Sequence, residues 1–312
     1  MIALALLLGG TRAGADEGGV SFWLPGQSGS LAAVPLAPGW SLPMVLYHGV
    51  SDASADKNFA IGGRISAGVS GSADLLFAFP TYVFGEPVLG GQLSIAVGWA
   101  PARTRVAADA TLTGPRGNVI ERNVTDTTTG SSDLYPQAAL RWNAGNDNFM
   151  AYLAGGVPVG TYEVGGLANI GLNHWSIDAG GAYTYFNQKN GREISVAAGL
   201  TYNFENPDTE YQNGVDFHLD WGASQFLSEH THVGLVGYWY QQLTGDRGAG
   251  ATLGDFKSRV AAIGPQAGYF FKVAGQDWYV NLKGYWEFAA ENRASGWSVW
   301  LSLAIPLTPQ KK

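Results

Sequence analysis

The sequence predicts an all-β protein and, more narrowly, a transmembrane β-barrel of the kind found in outer membranes. Three observations lead to this prediction. Only 14% of the 312 residues are charged, whereas soluble domains average about a quarter. Apolar and polar side chains alternate along most of the chain with the period of two that characterises a β-strand. Aromatic residues stand near the ends of the apolar faces, as in the girdles of membrane barrels.

Composition excludes several other classes of protein. The mean hydropathy of −0.01 is too polar for a bundle of membrane helices, and no apolar run reaches the length of about 18 residues that such a helix needs. A hydrophobic content of 46% argues against disorder. The lack of cysteine excludes disulfides and cysteine-bound metals, and the net charge of −7 argues against a partner made of nucleic acid.

The first residues have the pattern of an export signal. An apolar run from Ile2 to Leu8 is followed by the small residues Ala13-Gly14-Ala15, as in a secretory signal peptide and its cleavage site. The usual basic residues before the apolar run are missing, and a short buried strand or helix is the alternative. We expect residues 1–15 to be the signal peptide and the mature chain to begin at Asp16.

A leader of residues 16–40 precedes the first predicted strand. It is too apolar for a free tail and too rich in proline and glycine for a helix or a central strand. Side chains alone only partly fill the interior of a barrel of about twelve strands. Two hypotheses therefore stay open: the leader enters the lumen as a plug, or it forms a short strand on the rim. The residues predicted to form the plug or gate are Phe22, Trp23, Pro25 and Trp40.

Residues 41–312 are predicted to form the barrel, an antiparallel up-and-down meander of about 12 strands. In the segment from Val215 to Trp221, odd positions are apolar and even positions are polar or ionisable. An even number of strands places both termini on the periplasmic side. The polar segment from Gly114 to Ser132 is expected to be a large extracellular loop. The predicted strands span residues 41–50, 64–84, 89–105, 132–145, 147–159, 165–187, 192–205, 212–227, 230–243, 258–272, 277–290 and 295–307.

The face opposite the aromatic residues is predicted to line the lumen. Asp216, His218 and Asp220 form its densest row, with neighbours about 6.5–7 Å apart along one strand. Three interpretations stay open: a hydrogen-bonded network that makes the barrel rigid, a constriction that selects solutes, or a metal or catalytic site. The predicted lumen or selectivity residues are Arg141, Asp178, Glu205, Asp216, His218, Asp220, Lys283 and Glu287.

The sequence gives little support for catalysis, metals or cofactors, and none of these is predicted. His174, Ser176 and Asp178 would stand side by side on one strand instead of converging as a catalytic triad does. No Gly-x-Ser-x-Gly motif is present. His230 and His232 flank a predicted turn and are expected at the surface. We therefore expect a protein that is not an enzyme.

Short segments spread along the chain carry a family resemblance. Among them are the segments from Ser21 to Gly26, Leu167 to Trp175, Gly199 to Pro207, His218 to Trp221 and Ile263 to Gln266. With these segments the chain resembles the bacterial outer-membrane proteins of the meta-pathway of phenol degradation, often labelled simply as transporters. The resemblance spans nearly all of the mature chain. It implies an outer-membrane barrel that passes small, often aromatic or hydrophobic compounds.

We therefore expect a monomeric channel in the outer membrane of a Gram-negative bacterium, for passive uptake of small hydrophobic or aromatic compounds. No energy-coupling motif is visible in the sequence, so transport would be diffusive. The expected partners are the lipid bilayer with its outer-membrane lipids, the solute, and the barrel assembly machinery. The first alternative is a structural or ligand-binding barrel with a closed lumen. A more distant one is a soluble β-sandwich or propeller that binds sugars.

Overall fold

The strands close into a complete ring. The computed structural model describes residues 12–13, 17, 21–61, 64–113, 119–251 and 257–308. Within these residues, twelve antiparallel strands each pair with their neighbours in sequence, and the last strand pairs with the first. The predicted fold class and the predicted strand number are confirmed. In the same part of the chain, no helix is long and apolar enough to span a membrane.

The first four strands are long, and three of them are interrupted. Their bounds are β1 Gly39–Ile61; β2 Arg64–Ala78 with Thr81–Val83; β3 Gln92–Gly98 with Pro101–Thr113; and β4 Val119–Ser131 with Tyr135–Ala144. Pro80 lies in the interruption of β2, and Pro101 follows that of β3. Proline cannot donate a hydrogen bond to a neighbouring strand, so it is found where ladders are broken.

The remaining eight strands run without interruption. Their bounds are β5 Asp147–Gly156, β6 Ser176–Asn187, β7 Arg192–Asn203, β8 Asp216–Phe226, β9 Thr231–Gln242, β10 Arg259–Val273, β11 Gln276–Glu291 and β12 Ser295–Pro306. Most of these bounds lie within a few residues of the predicted ones. The exception is β6, which begins at Ser176, whereas the alternation predicts a strand from residue 165.

The outward face of the barrel is apolar and the inward face is polar. On β7, Ile194 and Leu200 are about half exposed, whereas Ser195 and Thr201 are fully buried. A soluble sandwich would bury the apolar face and expose the polar one. The inverted pattern is that of a barrel whose outside meets lipid and whose polar residues line the interior.

The two ends of the barrel differ. The end that holds the start of β1 and the end of β12 also has the tight turns at residues 145–146, 188–191, 227–230 and 274–275. The opposite end has the longer segments 157–175 and 204–215. In outer-membrane barrels, short turns face the periplasm and long loops face the outside. We therefore refer to the periplasmic end and the extracellular end.

The segment from Gly114 to Ser132, predicted to be a large extracellular loop, lies at the extracellular end but is mostly a strand. Val119–Ser131 is part of β4 and pairs residue by residue with Pro101–Thr113, while residues 114–118 lie outside the described part of the chain. This hairpin extends past Gly156, where β5 ends. A strand that does not face lipid needs no apolar face, so its threonine-rich sequence lacks the alternation used to predict strands.

Most of the predicted signal peptide, residues 1–15, lies outside the described residues. Arg12–Ala13 is described and forms a two-residue parallel bridge with Lys57 and Asn58 of β1. The predicted leader is described at Glu17 and from residue 21 onwards. It ends two residues earlier than expected, because β1 begins at Gly39.

Candidate functional site

The leader runs through the lumen from one end of the barrel to the other. At the extracellular end, the backbone N–H of Glu17 donates to Asn213 Oδ1 at 3.0 Å. At the periplasmic end, the backbone N–H of Leu36 donates to Gln92 Oε1 at 2.7 Å, and Gln92 Nε2 donates back to the Leu36 carbonyl at 2.7 Å. The chain then turns directly into β1. The leader therefore lies inside the barrel, not on its rim.

A cluster of wall side chains binds the middle of the leader through its backbone. Asp220 accepts hydrogen bonds from the backbone N–H groups of Gly26 and Ser28 at 2.9 and 3.0 Å. Lys283 Nζ donates to the carbonyl oxygens of both residues, at 2.7 and 3.2 Å, and to that of the intervening Gln27 at 3.1 Å. We call Asp220 and Lys283 the leader-binding pair. Opposite charges on β8 and β11 thus satisfy both donors and acceptors of one leader turn.

Glycine is required at the centre of that turn. Gly26 has a φ of +90°, and a Cβ atom there would lie 3.0 Å from the rings of Tyr238 and Tyr285. The Tyr285 hydroxyl also donates to the Gly26 carbonyl at 3.0 Å. Any side chain at this position would be strained by the backbone conformation and crowded by both rings.

Trp23 packs its ring on a buried histidine. The rings of Trp23 and His218 are stacked with centroids 3.8 Å apart and an interplanar angle of 11°. His218 Nε2 lies 2.8 Å from Asp178 Oδ2, and that carboxylate also accepts from the Thr201 hydroxyl at 2.5 Å. Trp23, His218 and Asp178 are all buried. The histidine is thus held between a carboxylate and the leader.

Further contacts hold the leader towards the periplasmic end. The Glu193 carboxylate accepts from the backbone N–H of Leu31 at 2.9 Å, and the Thr184 hydroxyl accepts from that of Ala33 at 3.0 Å. The hydroxyls of Ser30 and Ser224 lie 2.7 Å apart. All of these wall residues belong to β6, β7 or β8. We call the wall formed by β6 to β11 the leader half of the lumen.

The other half of the lumen, formed by β12 and β1 to β5, borders a cavity of about 650 Å³. We call this half of the lumen, formed by β12 and β1 to β5, the cavity half. The lining of the cavity is mainly apolar, with a few polar groups. The apolar and aromatic lining residues include Phe22, Leu36, Val45, Val69, Phe77, Phe79, Ala96, Tyr135, Met150, Leu167, Ile170 and Trp300. Because these residues come from both ends of the barrel, the cavity extends along the leader.

The segment of residues 157–175 folds inward over the extracellular end of the cavity. The Asp133 carboxylate accepts from the backbone N–H groups of Gly160 and Leu172 at 2.8 and 2.9 Å. Leu167 packs against Val69 of β2. In the same segment, burial and then the charge of the Glu17 carboxylate raise the pKa of Tyr162 to about 12.

The sequence matches a known family over most of its length. Residues 54–303 match the family model described as "Putative MetA-pathway of phenol degradation". The chain belongs to this family. The predicted resemblance is therefore confirmed, and the protein is an outer-membrane β-barrel of a Gram-negative bacterium. No curated protein sequence matches the chain.

The fold of this family member is similar to that of a solved channel structure. The crystal structure of an outer membrane channel from Pseudomonas putida F1 matches with a TM-score of 0.65 and 16% sequence identity, over 87% of this chain and 96% of that chain. A FadL homologue from Pseudomonas aeruginosa matches with a TM-score of 0.43 and 9% identity, over 85% of this chain and 89% of that chain. At 16% identity the first likeness concerns the fold alone, and the second is too weak to support a conclusion.

Most predicted lumen residues of this family member point inward. Asp178, Asp216, His218, Asp220 and Lys283 are buried. Arg141 and Glu287 line the cavity, and Glu287 accepts from the Tyr238 hydroxyl at 2.6 Å. The structure thus brings His218, Asp220 and Lys283 together around the leader and leaves Arg141 apart, on the opposite side of the cavity.

Two predicted site residues lie elsewhere. Glu205 is exposed and follows the end of β7 at Asn203, so strand alternation no longer determines its orientation. Trp40 is the second residue of β1, is 52% exposed and packs on Tyr82 at 5.2 Å. It belongs to the outer face and is not part of a plug. Of the other predicted plug residues, Trp23 and Pro25 are buried in the lumen and Phe22 lines the cavity.

Sequence reasoning also missed several lumen residues. Glu193, Ser195 and Gln266 contact the leader or its immediate neighbours. Each of them occupies an inward-facing position in the alternation of its strand. The alternation could therefore have identified them. The predicted surface position of His232 is wrong, because this residue is fully buried and its Nε2 lies 2.9 Å from the Tyr279 hydroxyl. His230 is exposed.

Proposed function

We propose that this protein is a channel for passive uptake of small hydrophobic or aromatic compounds, with the leader as its gate. The observation that carries the proposal is the mainly apolar cavity of about 650 Å³ that runs beside the leader. This volume lies within the range of about 300–1,000 Å³ that is typical of small-molecule sites. Rings such as Phe77, Phe79 and Tyr135 offer the kind of surface on which an aromatic solute packs.

The contacts of the leader favour a gate that can move as one segment. On the leader half, many of its hydrogen bonds join backbone atoms of the leader to wall side chains such as Asp220, Glu193 and Thr184. On the cavity half, Phe22 and Leu36 border open space. A small displacement towards either side would therefore change the width of the cavity without breaking the barrel wall. The proposal also includes a monomeric barrel that is inserted by the barrel assembly machinery.

A disulfide that fixes the leader tests this function. The Ser30 and Ser224 hydroxyl oxygens are 2.7 Å apart, and the chain has no cysteine of its own. In a Ser30→Cys, Ser224→Cys double variant, oxidation would join the leader to β8. The measurement is entry of N-phenyl-1-naphthylamine into intact cells of a Gram-negative host, because lipopolysaccharide excludes this hydrophobic probe and its fluorescence rises when it reaches the inner leaflet.

We expect the wild-type protein to accelerate probe entry, oxidation of the double variant to abolish the acceleration, and a reductant to restore it. Each single cysteine variant serves as a control that cannot form the bond. Equal entry rates with and without the wild-type protein would contradict the channel and favour the alternative of a structural or ligand-binding barrel with a closed lumen. Fast entry through the oxidised variant would leave the channel intact and contradict the moving gate.

A further inference from the structure

Arg141 is a cation at the periplasmic end of the cavity. It lies on β4, three residues before that strand ends at Ala144, which corresponds to about 10 Å along a strand. It pairs across the sheet with Gln92, the residue that holds the end of the leader. Its side chain lines the same cavity as Phe79, Ala96 and Met150. The positive charge thus stands where the apolar cavity meets the periplasmic end.

The wall does little to compensate this charge. Arg141 Nη1 donates to the Ser94 hydroxyl at 2.9 Å, while Nε is buried and meets no acceptor in the described part of the chain. None of the ion pairs among the described residues includes Arg141: they join His48 to Asp74, His218 to Asp178, Arg259 to Glu291 and Lys272 to Asp277. A guanidinium has five N–H donors, so one hydroxyl leaves most of its capacity unused.

Lys283, the buried cation of the leader half, has more hydrogen-bond acceptors than Arg141. Lys283 donates to three leader carbonyls, and the Asp220 carboxylate binds the same leader turn. An ion in an apolar environment is costly unless it is paired and hydrogen-bonded. Lys283 has three carbonyl acceptors and the nearby charge of Asp220, whereas Arg141 has one hydroxyl acceptor. The Arg141 guanidinium therefore has unused donors for an anion from outside the chain.

We propose that Arg141 is a head-group site and that the cavity accepts amphipathic carboxylic acids. The carboxylate would bind the guanidinium, which matches it in charge and in planar geometry. The apolar body would extend from Arg141 along Phe79, Phe77 and Tyr135, all of which line the cavity. This inference rests on the proposed function, because it names the class of solute that the channel would pass. It also orients the solute, with its acid group at the periplasmic end.

Calorimetric binding to the protein in lipid nanodiscs tests the proposal, with empty nanodiscs as the baseline. The probes are octanoate, which has a carboxylate and an apolar body, 1-octanol, which has the body alone, and acetate, which has the carboxylate alone. We expect wild-type protein to bind octanoate about tenfold more tightly than 1-octanol, a difference of about 1.4 kcal/mol. Acetate should bind more weakly than either, because it buries almost no apolar surface.

Arg141→Gln should reduce the octanoate preference to about one while 1-octanol still binds, and Arg141→Lys should retain part of the preference. Arg192→Gln is the matched control, because it removes an exposed arginine at the same end of the barrel. An unchanged preference in Arg141→Gln overturns the head-group site. The same conclusion follows if acetate binds as tightly as octanoate, or if wild-type protein binds octanoate no more tightly than 1-octanol. If the wild type binds neither octanoate nor 1-octanol, the proposed function itself fails.

If Arg141→Gln also loses binding of 1-octanol, the Arg141→Lys variant decides whether the head-group site exists. A preference for octanoate retained by Arg141→Lys supports the site, and its loss alongside normal 1-octanol binding overturns it. Heat-modifiable migration on a gel shows whether each variant has folded, because an intact barrel migrates differently from the unfolded chain.

Discussion

The two halves of the lumen use the same wall architecture for opposite purposes. In the leader half, Asp220, Glu193 and Thr184 each bind a backbone group of the leader, so the interior is filled. In the cavity half, Gln92 binds the end of the leader, but most inward positions hold residues such as Val69, Ala96 and Phe77, which offer the leader no hydrogen bond. Polar inward residues thus fix an internal segment on one side, and apolar ones leave space on the other.

The largest effect on this difference between the two halves is expected from removing the carboxylate of the leader-binding pair. Asp220→Ala frees the N–H groups of Gly26 and Ser28 and leaves the Lys283 ammonium without its nearby carboxylate. Two charge-assisted hydrogen bonds contribute about 1.5–3 kcal/mol each, so these two amides should exchange their hydrogens at least about a hundredfold faster. Hydrogen exchange with mass spectrometry measures this effect. Asp277→Asn, at an exposed ion pair, is the control, and unchanged exchange in Asp220→Ala would show that the pair does not hold the leader.

A smaller effect is expected from filling the cavity half. Ala139 lines the cavity, and the adjacent Ala138 does not. Ala139→Phe should slow entry of N-phenyl-1-naphthylamine into cells about fivefold, because a ring narrows the passage. Ala138→Phe adds the same ring one position along the strand and should leave the rate unchanged. Equal rates in both variants would mean that solutes do not pass through this cavity.

The smallest of these effects concerns the two tryptophans that were predicted to be in the plug. Trp23→Ala removes the ring stacked on His218 and should raise the single-channel conductance in planar bilayers about twofold, because it widens the lumen. Trp40→Ala removes a ring of the outer face and should have no such effect. A larger increase in Trp40→Ala than in Trp23→Ala would contradict the assignment of the two residues to inside and outside.

The accuracy of the sequence predictions depends on whether each strand faces both lipid and lumen. The strands β7 to β12 could be predicted within a few residues because one face meets lipid and the other meets the lumen, which forces alternation. The hairpin arm Val119–Ser131 has no such requirement and was predicted as a loop. The opposite error occurs at Leu167 and Ile170, where apolar residues were predicted to be in a strand although they line the cavity from a loop.

The candidate site could be predicted only in part. Alternation placed His218, Asp220 and Lys283 inward, because orientation within a strand depends on position alone. It could not show that all three side chains contact the leader, because those contacts join residues nearly 200 or more positions apart. Nor could it place Trp40, because the start of β1 is determined by the pairing of Gly39 and Trp40 with Val83 and Tyr82 of β2.

The path of the leader has a consequence for the order of folding. Hydrogen bonds between the leader and the leader half join residues that are 151 to 259 positions apart in the chain. Contacts of such long range form slowly, because the intervening chain must first be ordered. The most N-terminal described segment of the lumen therefore depends on strands that are synthesised much later. A segment that emerges early would reach its final position only when the ring around it is nearly complete.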